Sequence, residues 1–330
     1  MDDSLVSDTL NTDLSQRFQA LQAHVNQQII GQPKLTERLL IALLSEGHLL
    51  VEGPPGLAKT KAIKVISSLL EGTYNRIQFT PDLLPSDITG TDIYRPETGE
   101  FEFQAGPVFY NLVLADEINR APAKVQAALL EAMGEGQVSV GQDSYAMEDF
   151  FMVMATQNPL EQEGTYPLPE AQLDRFMMHV AIDYPDAESE LKILNLVENE
   201  ARLVTPDAFE TITQEELFAA REDILTLHMA DSIKTYIVEL VMATRQPEVY
   251  SADLAKFIAV GVSPRATIAL SRGARAHAWL HGQSFVTPDN VQAVVKDVFR
   301  HRLLLNFEAE AQGLSADHMV DQILSLVPVA

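Results

Sequence analysis

The sequence predicts an α/β domain on a five-stranded parallel sheet, followed by an all-helical subdomain. Three observations carry this. Short, continuously apolar runs alternate with amphipathic helical stretches up to about residue 186, the pattern of strands buried on both faces of a parallel sheet. The first such run opens into Gly53-Pro54-Pro55-Gly56-Leu57-Ala58-Lys59-Thr60, a glycine-rich turn leading into a helix. From residue 187 onward the periodicity is helical, with no convincing strand.

In chain order, residues 1–16 are polar and acidic and read as frayed. Arg17, Phe18, Leu21 and Val25 recur at helical spacing over 17–28, Ile29-Ile30-Gly31-Gln32-Pro33 stops that helix, and 34–46 forms a second. The strands are His48–Glu52, Tyr74–Phe79, Leu112–Asp116, Phe150–Thr156 and Met177–Ile182, with helices at Thr60–Leu70 and Ala123–Met133 between them. Residues 80–110 contain Pro81, Pro85, Gly90, Gly99 and the alternating Phe101-Glu102-Phe103, which predicts a small element plus a hairpin. Residues 135–148 predict a second hairpin. After Tyr184-Pro185-Asp186, helices are expected over 188–201, 214–230, 233–244, 252–259, 264–281, 288–304 and 315–326. Ser263 before Pro264 and Thr287 before Pro288 are N-cap and first-turn proline pairs. The expected division is a core over 1–186 and a helical subdomain over 187–330.

Composition narrows the function. The chain has 330 residues, 46 % of them hydrophobic, enough to bury a large core. It has no cysteine, which excludes disulfides, thiolate catalysis and iron–sulfur clusters. Net charge is −24, so a phosphate backbone is repelled overall and nucleic acid is an unlikely partner. The start lacks a signal-peptide pattern, and the apolar stretch Leu39–Val51 carries Glu46 and His48 and is too short for a membrane span. A cytoplasmic protein is expected.

The turn at 53–60 fits the phosphate-loop pattern G-x-x-x-x-G-K-[ST] except for Ala58, which stands where the second glycine belongs. Such a loop turns backbone N–H groups onto phosphate oxygens at a helix N-terminus. Lys59 would reach the β- and γ-phosphates, and Thr60 would ligate Mg²⁺; Lys61 belongs to the same nucleotide-contacting turn. A positive φ at Ala58 costs on the order of 1 kcal/mol, so the loop either accepts a helical angle there or tolerates the strain. Leu112-Val113-Leu114-Ala115 then predicts a buried strand ending in Asp116 and Glu117. Asp116 suits Mg²⁺, a hard cation that takes carboxylate oxygens, and Glu117 suits a general base acting on water.

These segments belong to a larger text: Phe79-Thr80-Pro81-Asp82-Leu83-Leu84-Pro85-Ser86-Asp87, Asp116-Glu117-Ile118-Asn119-Arg120-Ala121, Ala155-Thr156-Gln157-Asn158-Pro159, and Gly164-Thr165-Tyr166-Pro167-Leu168-Pro169-Glu170-Ala171-Gln172-Leu173-Asp174-Arg175-Phe176. Together they resemble the MoxR family of AAA+ ATPases, in the helix-2-insert branch, over about residues 25–310. In that family alanine is an accepted replacement for the second glycine. The resemblance implies an AAA+ core with a helical lid, ATP and Mg²⁺ as ligands, and a hexameric ring. It implies that Asn158 is sensor 1, that Arg175 is an arginine finger reaching a neighbouring subunit, and that Arg265 is sensor 2, acting in cis or in trans. Ile30 and Gly31 resemble the segment that packs on adenine, and read equally well as a plain helix stop. The 80–110 insertion is expected to contact substrate or line a ring pore.

Other residues have plainer readings. Asn158 also suits an Asn-Pro turn, Arg175 an ion pair with Asp174 or Glu170, and Arg120 a contact that bridges subunits or caps its own turn. His277 and His281, at i and i+4, can hold zinc only with a third ligand, which the sequence does not offer, so a packed helix face is expected.

The function expected is Mg²⁺-dependent ATP hydrolysis driving chaperone-like remodelling or maturation of a client protein complex, metalloenzymes among them. The implied partner is a separate protein with a von Willebrand factor A domain. The alternatives are a nucleotide-switch binding module with negligible turnover, a metal-chelatase-type motor subunit and a DNA motor of related fold.

Overall fold

Two helices precede the first strand in the computed structural model, which describes residues 3–160, 164–201 and 208–329. Met1, Asp2 and Ala330, which the expected domain limits include, lie outside the described residues. Helix α1 (Asp3–Gln28) takes in most of the segment read from sequence as frayed, and α2 (Pro33–Leu44) starts on a proline. β1 (Leu49–Glu52), α3 (Lys59–Ser68) and β2 (Tyr74–Gln78) follow. The first insertion consists of α4 (Pro85–Thr89) and a hairpin of β3 (Gly90–Arg95) with β4 (Glu100–Ala105). The chain then runs through β5 (Leu112–Asp116), α5 (Ala123–Glu135) and the second expected hairpin, β6 (Gln137–Val140) with β7 (Asp143–Ala146). β8 (Met152–Gln157), α6 (Glu170–Leu173) and β9 (Met178–Ala181) complete this half. The two hairpins meet where Phe103 stacks on Tyr145, ring centroids 3.7 Å apart.

The five-stranded sheet has the order β2-β5-β8-β1-β9, and every pairing in it is parallel. Its central strands β1, β5 and β8 are apolar along most of their length because alternate residues point into two different cores. Leu49, Val51, Leu112, Leu114, Met152 and Met154 face one core, with α2 and α3. Leu50, Val113, Ala115, Val153 and Ala155 face the other, with α5. Gln78 lies in register with Asp116, and Glu52 with Gln157 and Ala181. The carboxyl ends of all five strands thus form one rim.

The second half runs α7 (Ala187–Ala201), α8 (Gln214–Thr226), α9 (Asp231–Arg245), α10 (Pro247–Tyr250), α11 (Ala252–Phe257), β10 (Ile258–Val260), α12 (Pro264–Leu280), α13 (Pro288–Phe299), β11 (Leu304–Leu305), α14 (Phe307–Ala311) and α15 (Ala316–Leu326). Ser263 caps α12 by accepting from the Arg265 N–H, and Thr287 forms a capping box with Asn290 at α13, as the sequence signals predict. The all-helical expectation needs correction: β10 and β11 pair antiparallel. Ile258-Ala259-Val260 is not the tail of a helix over 252–259, nor do helices fill 214–230 or 288–304 to their ends. A proline at 264 disfavours helix in the residue before it, and Asn306, whose side chain caps α14, donates its N–H to the Phe257 carbonyl at 3.0 Å. Two chain segments between helix signals therefore lie extended side by side.

The first core continues past residue 186 into the helices, taking in Leu217, Tyr236, Leu270, Trp279, Val294 and Phe299. Phe18 on α1 meets Trp279 on α12 edge-on at 5.5 Å, and the Ser15 hydroxyl donates to the Trp279 carbonyl at 2.7 Å. Among the described residues no helix is long and apolar enough to cross a membrane.

Candidate nucleotide-binding site

The rim at the carboxyl ends of the strands gathers most of the residues singled out from sequence. The turn from β1 to α3 starts at Gly53, where a Cβ would lie 2.5 Å from Ile182 Cγ1 and 2.7 Å from the Ile182 carbonyl oxygen. Only glycine lets the loop pass this close to the end of β9. Gly56 has φ +85° and Ala58 has φ +56° with ψ 20°. The loop thus tolerates the strain at Ala58, on the order of 1 kcal/mol for a residue with a Cβ. Backbone strain of this kind concentrates at binding sites. Pro54 is half-buried, Pro55 is exposed and Leu57 is buried. Thr60 and Lys61 lie half-buried in the first turn of α3. The Lys59 ammonium spans the loop, donating to the Gly53 carbonyl at 2.6 Å and the Gln157 carbonyl at 3.2 Å.

Asp116 ends β5 and Glu117 follows it, one strand beyond β8 from the loop. Asp116 is 8 % exposed. Thr156 Oγ1 donates to its Oδ1 at 2.6 Å, while Arg76 Nε and Nη2 donate to its Oδ2 at 3.0 and 2.7 Å. Glu117 has φ +57°, and its N–H donates to Thr156 Oγ1 at 2.9 Å. Its Oε2 accepts from Gln78 Nε2 at 3.1 Å and Arg120 Nη1 at 2.8 Å. Arg120 thus contacts its own turn. Asp116 and Thr60 offer the oxygen donors that Mg²⁺ takes, so the donor set fits that cation. Arg76, Gln78 and Thr156 are the site residues that sequence reasoning missed. The signal available was Arg76 and Gln78 flanking apolar Ile77 at strand period, on a strand that ends beside the acids.

Asn158 is 6 % exposed just after β8, and its Oδ1 accepts from the Leu160 N–H at 3.1 Å. It therefore makes the turn that the plainer reading asked for, at the rim that the sensor reading asked for. Glu52, the last residue of β1, has its Oε2 2.8 Å from His179 Nε2. That contact holds its carboxyl below the ordinary range against the opposing effect of burial, with Arg300 and Lys59 adding to it.

Ile30 and Gly31 line a cavity of about 780 Å³ with Ile29, Pro33, Tyr184 and Pro185, walled on its far side by Ser189, Asn195 and Asn199 of α7. The β9–α7 connection that floors it begins at Ile182, the residue packed on Gly53.

Arg175 and Arg265 lie elsewhere. Both line a second cavity of about 240 Å³, with Arg272, Arg302, Glu46, Gly47 and His48. Residues 46–48 precede β1 and residues 174–177 precede β9, so this cavity sits at the amino ends of those strands. Arg175 Nη1 donates to the Leu130 carbonyl and Nη2 lies 3.6 Å from Glu135; a Cβ at Gly134 would overlap its guanidinium. The ion pair with Asp174 or Glu170 does not form. Asp174 instead accepts from Ser263 Oγ at 2.8 Å and Arg302 Nε at 2.7 Å.

A third ligand for His277 and His281 is present after all: Glu37 on α2, all three ligand atoms lying within 4.8 Å of one another. The surroundings nevertheless serve packing. Asn290 uses its Oδ1 to cap α13 and so presents Nδ2 to His277 Nδ1 at 3.0 Å, which keeps the ring proton on the other nitrogen. Arg38 pairs with Glu37. Burial, with His281 and Arg38 nearby, pushes His277 down to about 4.

The profile for the ATPase family associated with various cellular activities (AAA) matches residues 48–178, and that for the AAA lid domain matches residues 252–323. Chaperone MoxR1 of Mycobacterium tuberculosis is 44 % identical over 300 residues, covering 91 % of this chain and 78 % of its own. Protein YeaC of Bacillus subtilis, itself uncharacterized, is 44 % identical over 307 residues, covering 93 % and 92 %. A crystal structure of a candidate ATPase from Cytophaga hutchinsonii superposes with TM-score 0.91 at 42 % identity, covering both chains fully. A loop, an acid pair and a polar strand end on one rim of a β2-β5-β8-β1-β9 sheet, a helical lid and these relatives agree, and the chain belongs to the MoxR family of AAA+ ATPases.

Proposed function

We propose that the protein hydrolyses ATP with Mg²⁺ at sites shared between neighbouring copies in a ring, and uses the cycle for chaperone-like remodelling of a client complex in the cytoplasm. The observation that carries this is the separation of the candidate catalytic groups. The loop and the acids lie at the carboxyl ends of the strands, and Arg175 and Arg265 line a cavity at the amino ends. The four residues of β1 put about 13 Å between those ends. That distance is longer than an arginine side chain, which supports the reading that a second copy brings the arginines to the phosphate.

In this reading Lys59 leaves the carbonyls of Gly53 and Gln157 for phosphate oxygens, and the α3 N-terminus holds the same charge. Thr60 and Asp116 hold Mg²⁺, which when bound screens the negative charge between phosphate groups. Glu117 accepts the proton of the water that attacks the γ-phosphorus as the bond to ADP breaks, with Gln78 and Arg120 setting its carboxylate. Asn158 orients that water, and Arg175 and Arg265 of the neighbour stabilise the transferring group. The base packs in the cavity formed by Ile30, Gly31 and Tyr184.

The name of the M. tuberculosis relative, a chaperone, supports the remodelling role. The paired hairpins of the two insertions are the surface proposed for the client, and a von Willebrand factor A domain protein is the proposed partner.

The test is ATP hydrolysis against protein concentration for the wild type, Glu117→Gln and Arg175→Ala, alone and mixed. Turnover rising steeply with concentration, lost in each variant and partly restored on mixing, is expected. Turnover that is independent of concentration and survives Arg175→Ala overturns the shared site. Tight nucleotide binding without turnover makes the protein a switch.

A further inference from the structure

Arg76 stands at the edge of the sheet, on β2, and directs two donors of its guanidinium to a single oxygen of Asp116. Its side chain is 49 % exposed, against 11 % for Asp116. The carboxylate is fixed: its other oxygen takes the Thr156 hydroxyl at 2.6 Å. The guanidinium is the partner able to leave, because half of its side chain is open to solvent. It also has a second hold, since Nη2 donates to Gln78 Oε1 at 2.6 Å, and Gln78 in turn donates to Glu117.

We propose that Arg76 is the resting counter-ion of the metal carboxylate: it neutralises Asp116 until a divalent cation takes its place, and so sets the cation affinity of the nucleotide site. This rests on the reading of Asp116 as a metal ligand. A cation approaching Asp116 either displaces the guanidinium from Oδ2 or sits beside a like charge, and both weaken its binding. A guanidinium that lets go of Asp116 stays tethered to Gln78, which holds Glu117. Arrival of the cation is thereby felt at the general base through one side chain.

The experiment is a Mn²⁺ titration followed by electron paramagnetic resonance, with a non-hydrolysable ATP analogue at saturation, so that no turnover enters the readout. Wild type is compared with Arg76→Gln, Arg76→Lys and Asp116→Asn. Arg76→Gln is expected to bind Mn²⁺ about two- to fivefold more tightly than wild type, the worth of a half-exposed charge pair. Arg76→Lys, which keeps the charge and loses the fork, falls between the two and carries the test if the glutamine variant does not fold. Asp116→Asn loses most of the affinity. Mn²⁺ affinity in both Arg76 variants equal to or weaker than wild type, with Asp116→Asn still defective, overturns the counter-ion role. An Asp116→Asn protein that binds Mn²⁺ like wild type overturns instead the reading of Asp116 as a ligand.

Discussion

Mixing variants of one chain tests the shared site quantitatively. In the proposed ring of identical contacts each site would take its loop and acids from one copy and its arginines from the next. Consider equal amounts of Glu117→Gln and Arg175→Ala, assembled at random. A site is intact only when an Arg175→Ala copy supplies the loop and a Glu117→Gln copy supplies the arginine. Each condition holds half the time, so about one quarter of sites are whole, whatever the ring size. Arg175 and Arg265 line the same cavity, so the same quarter is expected for Glu117→Gln with Arg265→Ala. The decisive mixture is Arg175→Ala with Arg265→Ala. If both arginines come from one neighbour, every site lacks one of them and nothing is restored. If Arg265 serves the loop of its own chain, about one quarter of sites recover. Turnover per mole by phosphate release reads all three mixtures, against each variant alone. Recovery in the double-arginine mixture refutes the assignment of both arginines to one neighbour's site, and absence of recovery in the Glu117→Gln mixtures refutes the shared site.

Other perturbations have calculable outcomes. Glu117→Gln keeps the backbone and its hydrogen bond to Thr156 and is expected to change stability by less than about 0.5 kcal/mol while turnover falls about 10²- to 10⁴-fold. Glu117→Gly relieves a positive φ of about 1 kcal/mol, loses two side-chain contacts and gains unfolded-state entropy, so urea denaturation is expected within about 1 kcal/mol of wild type. Asp174→Ala strands Arg302, whose side chain is 3 % exposed; a loss of about 2–4 kcal/mol is expected, with faster amide exchange at the start of α12. Gly53→Ala drives a Cβ into the Ile182 carbonyl and is expected to weaken binding of a fluorescent ATP analogue more than about tenfold, since the loop must shift. Acid sensitivity follows from buried neutral histidines. Burial pushes His48 down to about 4 from 6.5, so the unfolded chain takes up its proton first as pH falls. Its contribution, on the order of 3 kcal/mol, is intact above about pH 6.5 and lost as pH approaches 4. His48→Gln is expected to flatten the slope of melting temperature against pH in that window.

The fold was legible where chemistry is local. Largely apolar runs mark four of the five strands of the sheet, and Ser263-Pro264 and Thr287-Pro288 mark helix starts. The phosphate loop and the acid pair were legible because each lies within a few consecutive residues. What could not be read depends on register. Arg76 meets Asp116 only because β2 pairs with β5 so that Gln78 faces Asp116, and no local signal sets that pairing. The β10–β11 pair is illegible for the same reason, its segments being 44 residues apart from Val260 to Leu304 in a partnership of few residues. Glu37 joins His277 and His281 only through the packing of α2 on α12.

The same reasoning bears on how the two arginines act together. Arg175 follows Asp174, and Arg265 lies two residues after Ser263. The Ser263 hydroxyl donates to Asp174 and also accepts from the Arg265 N–H, so one hydroxyl ties the end of α6 to the start of α12 between the two arginines. Arg302, from beyond the end of α13, closes the same carboxylate and reaches the carbonyls of Asp174, Phe176 and Met177. The spacing of Arg175 and Arg265 is thus set by a half-buried polar cluster within one chain. In the proposed ring, a copy that docks would offer both cations at once in a fixed geometry, which would lower the ordering cost of completing its neighbour's site. Loosening that cluster with Ser263→Ala removes no cation, so its effect on turnover measures what the fixed spacing contributes.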